Sequence, residues 1–138
     1  MINICVFGAG AIGGYIGCSL SKAGANVSLI ARGPHKEAIK KNGLTLISNN
    51  KSETFKLKVT ENPSELGTQD YIIIGVKAHA ISGIVNQLKP LLNDKTAILS
   101  AVNGLPWWYF YKSDTGTKLE NTHIESVDPH GIIWKTLN

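Results

Sequence analysis

The chain has 138 residues, 43% of them hydrophobic, with 14 Lys plus Arg against 10 Asp plus Glu and two cysteines. That is enough apolar content for one domain, and a net charge of +4, with lysines scattered through residues 36 to 58, marks a solvated face rather than a nucleic-acid surface. Cys5 and Cys18 fit neither a zinc site nor a disulfide framework, so buried thiols in a cytoplasmic protein without a metal are expected.

Residues 1 to 21 carry no charge, yet they do not read as a membrane or targeting segment. A secretory signal begins with positive charge, and a spanning helix needs about 20 predominantly apolar residues. This stretch holds Gly8, Gly10, Gly13, Gly14 and Gly17 together with Asn3, Ser19 and Ser21, and no later stretch is long enough to span. It reads instead as strand, turn and helix. Ile2, Ile4 and Val6, with Cys5 and Phe7 between them, form the near-continuous apolar run of a strand buried on both faces of a parallel sheet. "GAGAIGG" then matches G-x-G-x-x-G at Gly8, Gly10 and Gly13. The first glycine permits the tight turn, the second lets backbone approach a pyrophosphate, and the third lets the helix lie close on the strand. Ala11 through Ala23 is the expected helix, and its unpaired N–H groups and positive dipole end suit an anion. Gly8, Ala9, Gly10, Ala11, Ile12 and Gly13 are therefore the candidate cofactor-binding residues of this turn.

Gly24 marks the helix stop, and "NVSLIAR", residues 26 to 32, reads as a second strand. At its end an acidic residue would accept hydrogen bonds from the ribose of NAD, whereas an arginine accommodates the 2′-phosphate of NADP. Arg32 stands there, so NADP(H) is the expected cofactor. Pro34 opens a short helix closed by Asn42-Gly43; His35 and Lys36 are either phosphate contacts or a solvated helix start. "LTLIS" at 44 to 48 and "TFKLKV" at 54 to 59 are two strand-like runs separated by the polar turn "NNKSE". "YIIIGVK" at 71 to 77 is again a fully buried strand pattern, a helix is expected from about Ala80 to Leu88, ended by Pro90, and "TAILSAV" at 96 to 102 supplies another strand. Strands alternating with helices imply an α/β, Rossmann-type, doubly wound and mainly parallel sheet, with residues 1 to 138 as a single dinucleotide-binding domain.

Polar residues cluster at the ends of the last two strands, in "VKAH" at 76 to 79 and "VNGLPWWYFY" at 102 to 111. Taken in order, "GAGAIGG", "ARG", "VKAH", "NGLPWWYFY" and "ESVDPHGII" at 125 to 133 resemble the N-terminal half of the ketopantoate reductase (2-dehydropantoate 2-reductase) family. The resemblance implies NADPH-dependent reduction of 2-dehydropantoate, a small 2-keto acid, to pantoate, on the way to pantothenate and coenzyme A. It implies that Gly8, Gly10 and Gly13 meet the pyrophosphate and Arg32 the 2′-phosphate. Asn103 would orient the nicotinamide ribose or substrate, and Lys77 would line the cofactor cleft; these two are the candidate catalytic side chains. By position alone Lys77 is equally a strand-end lysine and Asn103-Gly104 equally a turn.

A complete member of that family is roughly twice as long and adds a helical C-terminal domain carrying its principal catalytic lysine and a substrate-binding glutamate. The present chain stops at "WKTLN", before a sixth Rossmann strand, and is a fragment, an engineered piece or a naturally short relative. Two functions remain open. One is the cofactor-binding half of an NADPH-dependent reductase, inactive without its second domain. The other is a stand-alone NADP(H)-binding or sensing module. Trp107, Trp108, Tyr109, Phe110 and Tyr111 are expected to be partly uncovered unless a second copy of the chain or the folded-back tail covers them.

Overall fold

The computed structural model describes residues 1–114 and 116–137. The apolar run at the start of the chain forms β1 (Asn3–Phe7). It is followed by α1 (Ala11–Lys22), β2 (Asn26–Ile30), α2 (Gly33–Asn42), β3 (Leu44–Ser48), β4 (Lys51–Phe55), β5 (Lys58–Thr60) and β6 (Tyr71–Ile74). Then come α3 (Ile81–Leu88), β7 (Ala97–Ser100) and α4 (Ile132–Leu137). The chain divides into two compact units: Met1–Val76 with Pro90–Ala101, and Lys77–Lys89 with Val102 and the described residues after it.

The first unit is built on a five-stranded sheet in the order β5-β2-β1-β6-β7, parallel at every pairing. This is the strand order of a Rossmann-type sheet, in which the chain reverses direction of travel beside its first strand. Ile4, Cys5, Val6 and Phe7 are all buried, as are Ile72, Ile73 and Ile74, which is the burial that strands inside a parallel sheet require. One face of the sheet presents Ile4, Val6, Val27, Leu29 and Ile73 to a core that also takes in Ala9, Ala31 and Ile39, with Ile16 and Leu20 of α1 against it. The contact side of α1 is made of small residues: Gly13, Gly14, Gly17 and Cys18 are buried. A methyl at Gly17 would stand 3.0 Å from Leu29 Cδ2, so the glycine face lets the helix axis come close to the strands.

The expected strands are shorter at their ends, and one is divided. The run 54 to 59 is not a single strand. β4 begins earlier, at Lys51, and pairs antiparallel with β3 from Ser48↔Lys51 to Leu44↔Phe55, while β5 joins the main sheet parallel to β2. The reversal takes only Asn49 and Asn50, both at positive φ (50° and 60°), the two-residue geometry whose twist suits a hairpin and which asparagine tolerates. The turn therefore lies at its asparagines, and Lys51, Ser52 and Glu53, read as turn residues from their polarity, are exposed strand.

In the second unit α3 buries Ile81, Ile84, Val85 and Leu88, one stripe at helical spacing. α3 packs against α4. The start of α4 is held by Asp128, fully buried, whose two carboxylate oxygens accept the N–H groups of Ile133 and Trp134, each at 2.8 Å. The buried charge is thus matched by two otherwise unpaired helix-end donors. Trp107 is buried rather than uncovered (4% exposed), and Tyr111 packs edge-on to Trp134 with centroids 5.7 Å apart, whereas Tyr109 stays half exposed. Among the described residues no helix is long and apolar enough to cross a membrane.

Burial also governs the thiols. Desolvation pushes the Cys5 thiol up to about 12, and Cys18 is raised by burial and then by the nearby Glu53 carboxylate. Because the thiolate is the reactive form, iodoacetamide at pH 8 should modify Cys5 in the folded protein at least about a thousandfold more slowly than in urea. Modification of Cys5 at the unfolded rate, read by peptide mass mapping, would contradict the packing of β1.

Candidate functional site

The site begins where β1 stops. Gly8 donates its N–H to Ile30 O of β2 (3.1 Å), and Gly75, just past β6, donates its N–H to Phe7 O (2.9 Å), so the turn leaves the sheet from its middle. Gly8 sits at φ +104°, and a methyl there would meet Val76 Cγ1 at 2.9 Å and Val76 N at 3.0 Å. Gly13 is tighter still: its methyl would lie 1.9 Å from Gly8 O. Gly10 is the opposite case. It is the N-cap of α1, and a methyl built on it meets nothing within 4 Å.

Two glycines therefore exist because the protein fills the space, and one because the protein leaves it open. The open one lies at the N-terminus of α1, where Gly14 N–H to Gly10 O (2.7 Å) is the first bond of the helix. The N–H groups of Ala11, Ile12 and Gly13 precede that bond and have no helical acceptor. Gly10 supplies no capping side chain, and the first turn carries no acidic residue. An anion can be held there by backbone N–H and the helix dipole. The residues thus fit a pyrophosphate: space at Gly10, donors at Ala11 to Gly13, and no competing carboxylate in that turn.

Ala9, between these glycines, is buried, and its carbonyl accepts a hydrogen bond from His35 Nε2 at 2.7 Å. His35 lies in the first turn of α2, the helix that Arg32 opens as N-cap with an exposed side chain. The chain passes from Arg32 through Gly33, at φ +55°, and Pro34. Lys36 pairs instead with Glu61 (3.0 Å) and Glu37 (3.1 Å), and these carboxylates, Glu61 foremost, hold its ammonium above the usual lysine range. Of the two side chains at this helix start, Lys36 is thus committed to carboxylates and His35 to the glycine turn. A cavity of about 260 Å³ adjoins the turn, lined among others by Gly10, Gly14, Cys18, His35 and Leu44.

The first unit thus brings together Gly8, Ala9, Gly10, Ala11, Ile12 and Gly13, and carries Arg32 at the end of β2. Lys77 and Asn103 belong to the second unit. Lys77 is exposed and caps the turn Ala78–Ala80, its carbonyl accepting the N–H of Ala80 at 2.8 Å. Asn103 is exposed and followed by Gly104 at φ +97°.

Gly75 escaped sequence reasoning, and so did the partner of His35, a residue read there as a phosphate contact or a solvated helix start. A methyl at Gly75 would meet Gly8 O at 3.0 Å and Gly13 Cα at 3.1 Å, so β6 also needs a glycine where it passes the turn. The signal was a glycine interrupting an otherwise β-branched strand, which marks close backbone approach. Nothing comparable pointed to the partner of His35, a main-chain oxygen 26 residues away.

A parallel α/β sheet of this order, with a glycine turn opening a helix at the end of its first strand, defines a Rossmann-type nucleotide-binding architecture. Residues 4–106 match the family model of ketopantoate reductase PanE/ApbA, and the chain belongs to that family of oxidoreductases. A 2-dehydropantoate 2-reductase of Mesorhizobium japonicum is 42% identical over 137 residues, which are 99% of this chain and 41% of that protein. A crystal structure from Ralstonia solanacearum, provisionally described as a ketopantoate reductase, superposes with a TM-score of 0.90 at 36% identity, covering 99% of this chain and 42% of the other. The ternary structure of a D-mandelate dehydrogenase with NADH and anilino(oxo)acetate matches 76% of this chain and 35% of its own, at a TM-score of 0.70 and 30% identity. The chain therefore spans about two fifths of the length of the relatives that it matches end to end, 41% and 42%.

The glycines differ in what they tolerate, and stability measurements separate them. Gly13→Ala forces a methyl onto the Gly8 carbonyl and should cost about 3 kcal/mol, whereas Gly10→Ala should stay within about 1 kcal/mol. Urea denaturation of both variants reads the contrast, and equal costs would contradict the packing of α1 on the turn.

Proposed function

We propose that this chain supplies the NADPH-binding part of a reductase acting on a small 2-keto acid, 2-dehydropantoate foremost. The observation that carries the reading is the pairing of an open Gly10 at an uncapped helix start with Arg32 at the strand end where an acidic residue would favour NAD. Backbone N–H groups of Ala11, Ile12 and Gly13 take the pyrophosphate, Gly8 and Ala9 shape the turn beneath it, and Arg32 takes the 2′-phosphate. A relative named 2-dehydropantoate 2-reductase and a neighbour solved with an oxoacetate both support the 2-keto acid class.

When bound, the nicotinamide supplies the hydride. The protein must then stabilise the alkoxide charge that develops on the ketone oxygen, which takes a positioned acid or cation. Lys77 and Asn103 are assigned to the nicotinamide end, Asn103 orienting ribose or substrate and Lys77 lining the cleft. The 138 residues alone bind cofactor and leave 2-dehydropantoate unreduced, because acid and orientation each contribute large factors and this chain matches only 41% of the length of the Mesorhizobium japonicum relative.

Calorimetric titration of both nucleotides tests the cofactor assignment. A charge-assisted hydrogen bond contributes ~1.5–3 kcal/mol, so NADPH should bind roughly 10- to 100-fold more tightly than NADH. Arg32→Asp should reverse that order, and Gly10→Val should abolish binding of both while the far-ultraviolet circular dichroism stays native. Equal affinity of the unaltered chain for the two nucleotides would overturn the role of Arg32, and normal binding by folded Gly10→Val would overturn the site.

A further inference from the structure

We propose that His35 is a positioning residue for the 2′-phosphate end of the dinucleotide, acting by tying the Arg32 end of α2 to the glycine turn. The inference rests on the NADPH-binding reading given above and adds to it a specificity-determining side chain.

The chemistry of the contact fixes its direction. His35 Nε2 lies 2.7 Å from Ala9 O, and a carbonyl oxygen can only accept, so Nε2 carries the proton. The acceptor belongs to the central residue of Gly8-Ala9-Gly10, within the turn that opens onto α1. The donor stands three residues beyond Arg32, in the first turn of the same helix, where Lys36 N–H bonds back to Arg32 O at 3.3 Å. That backbone hydrogen bond joins Arg32, the extended N-cap, to the turn that carries His35.

That turn needs holding. It is entered through Gly33 at φ +55° and has no side-chain cap, so local sequence alone leaves its direction free. Besides the burial of Ile39 further along the helix, two side-chain contacts from its first residues hold it. Lys36 reaches Glu61, just past β5, and His35 reaches Ala9. The first ties the helix to the sheet edge, and the second to the anion-binding turn itself. The distance between the arginine for the 2′-phosphate and the amides for the pyrophosphate is then set by the histidine hydrogen bond. A ligand that uses both anchors depends on that distance. One that uses the turn alone does not.

NADPH and NADH differ in that respect, so they serve as the probes. His35→Ala should weaken NADPH binding roughly three- to tenfold, the range of one lost hydrogen bond, and NADH binding less than twofold. His35→Gln, whose amide N–H can reach the same carbonyl, should restore the preference for NADPH; a packing role for the ring would not be rescued by an amide. The unliganded protein provides a second readout, because long-range ¹⁵N–¹H spectra of the imidazole should show the Nε2–H tautomer. Equal losses for both nucleotides in His35→Ala, no loss at all, or an Nδ1–H tautomer in the native protein would each overturn the positioning role. If the unaltered chain binds neither nucleotide while showing the Nε2–H tautomer, the dinucleotide reading falls and the proposal with it, whereas binding by the unaltered chain with unchanged preference in His35→Ala removes this proposal alone.

Discussion

The contact on which the site depends is that of the Gly13 α-carbon with the Gly8 carbonyl, so close that a methyl would stand 1.9 Å from the oxygen. Closing that gap brings the first turn of α1 directly against the end of β1 and points its unpaired N–H groups out of the turn. Gly75 closes the same space from β6. Three backbones meet where side chains would hold them apart, and the result is a candidate anion site made almost entirely of main chain. Such a site is permanent, because nothing in it can rotate away.

Different parts of the site carry place and discrimination. A helix N-terminus contributes about 0.3–1 kcal/mol to a bound anion at an exposed position, less than a charge-assisted hydrogen bond from an arginine. In the proposed function the turn therefore decides where a pyrophosphate would lie, and the residue at the end of β2 which nucleotide would be preferred. Lys36 is already engaged by its carboxylates Glu61 and Glu37, which hold it charged. A basic side chain next to a site is not free for a ligand merely because it is basic.

Much of this architecture was legible in the sequence because burial on both faces of a parallel strand leaves a simple mark. "NICVF" and "YIII" are apolar without alternation, and both are buried as such. The glycine turn was legible because G-x-G-x-x-G directly after a buried strand is a local pattern, although what each glycine meets is not. Failures fell where local polarity and geometry disagree. Lys51, Ser52 and Glu53 are polar yet form strand, because an exposed hairpin asks its residues for backbone pairing rather than burial. Trp107, expected to be partly uncovered unless a second copy or the folded-back tail covered it, is buried in the unit that also holds the described residues after it. His35 was noticed as a phosphate contact or a solvated helix start, but its bond to Ala9 O was not legible, because a main-chain acceptor leaves no partner side chain in the sequence to notice.

The central claim is that the amides at the start of α1 hold the pyrophosphate of a dinucleotide. Amide chemical shifts recorded during a titration with NADPH test it most directly. The largest saturating changes should fall on Gly10, Ala11, Ile12 and Gly13, with Arg32 and its neighbours following the same curve. Saturable binding with those amides unmoved, and the changes gathered elsewhere in the chain, would contradict it.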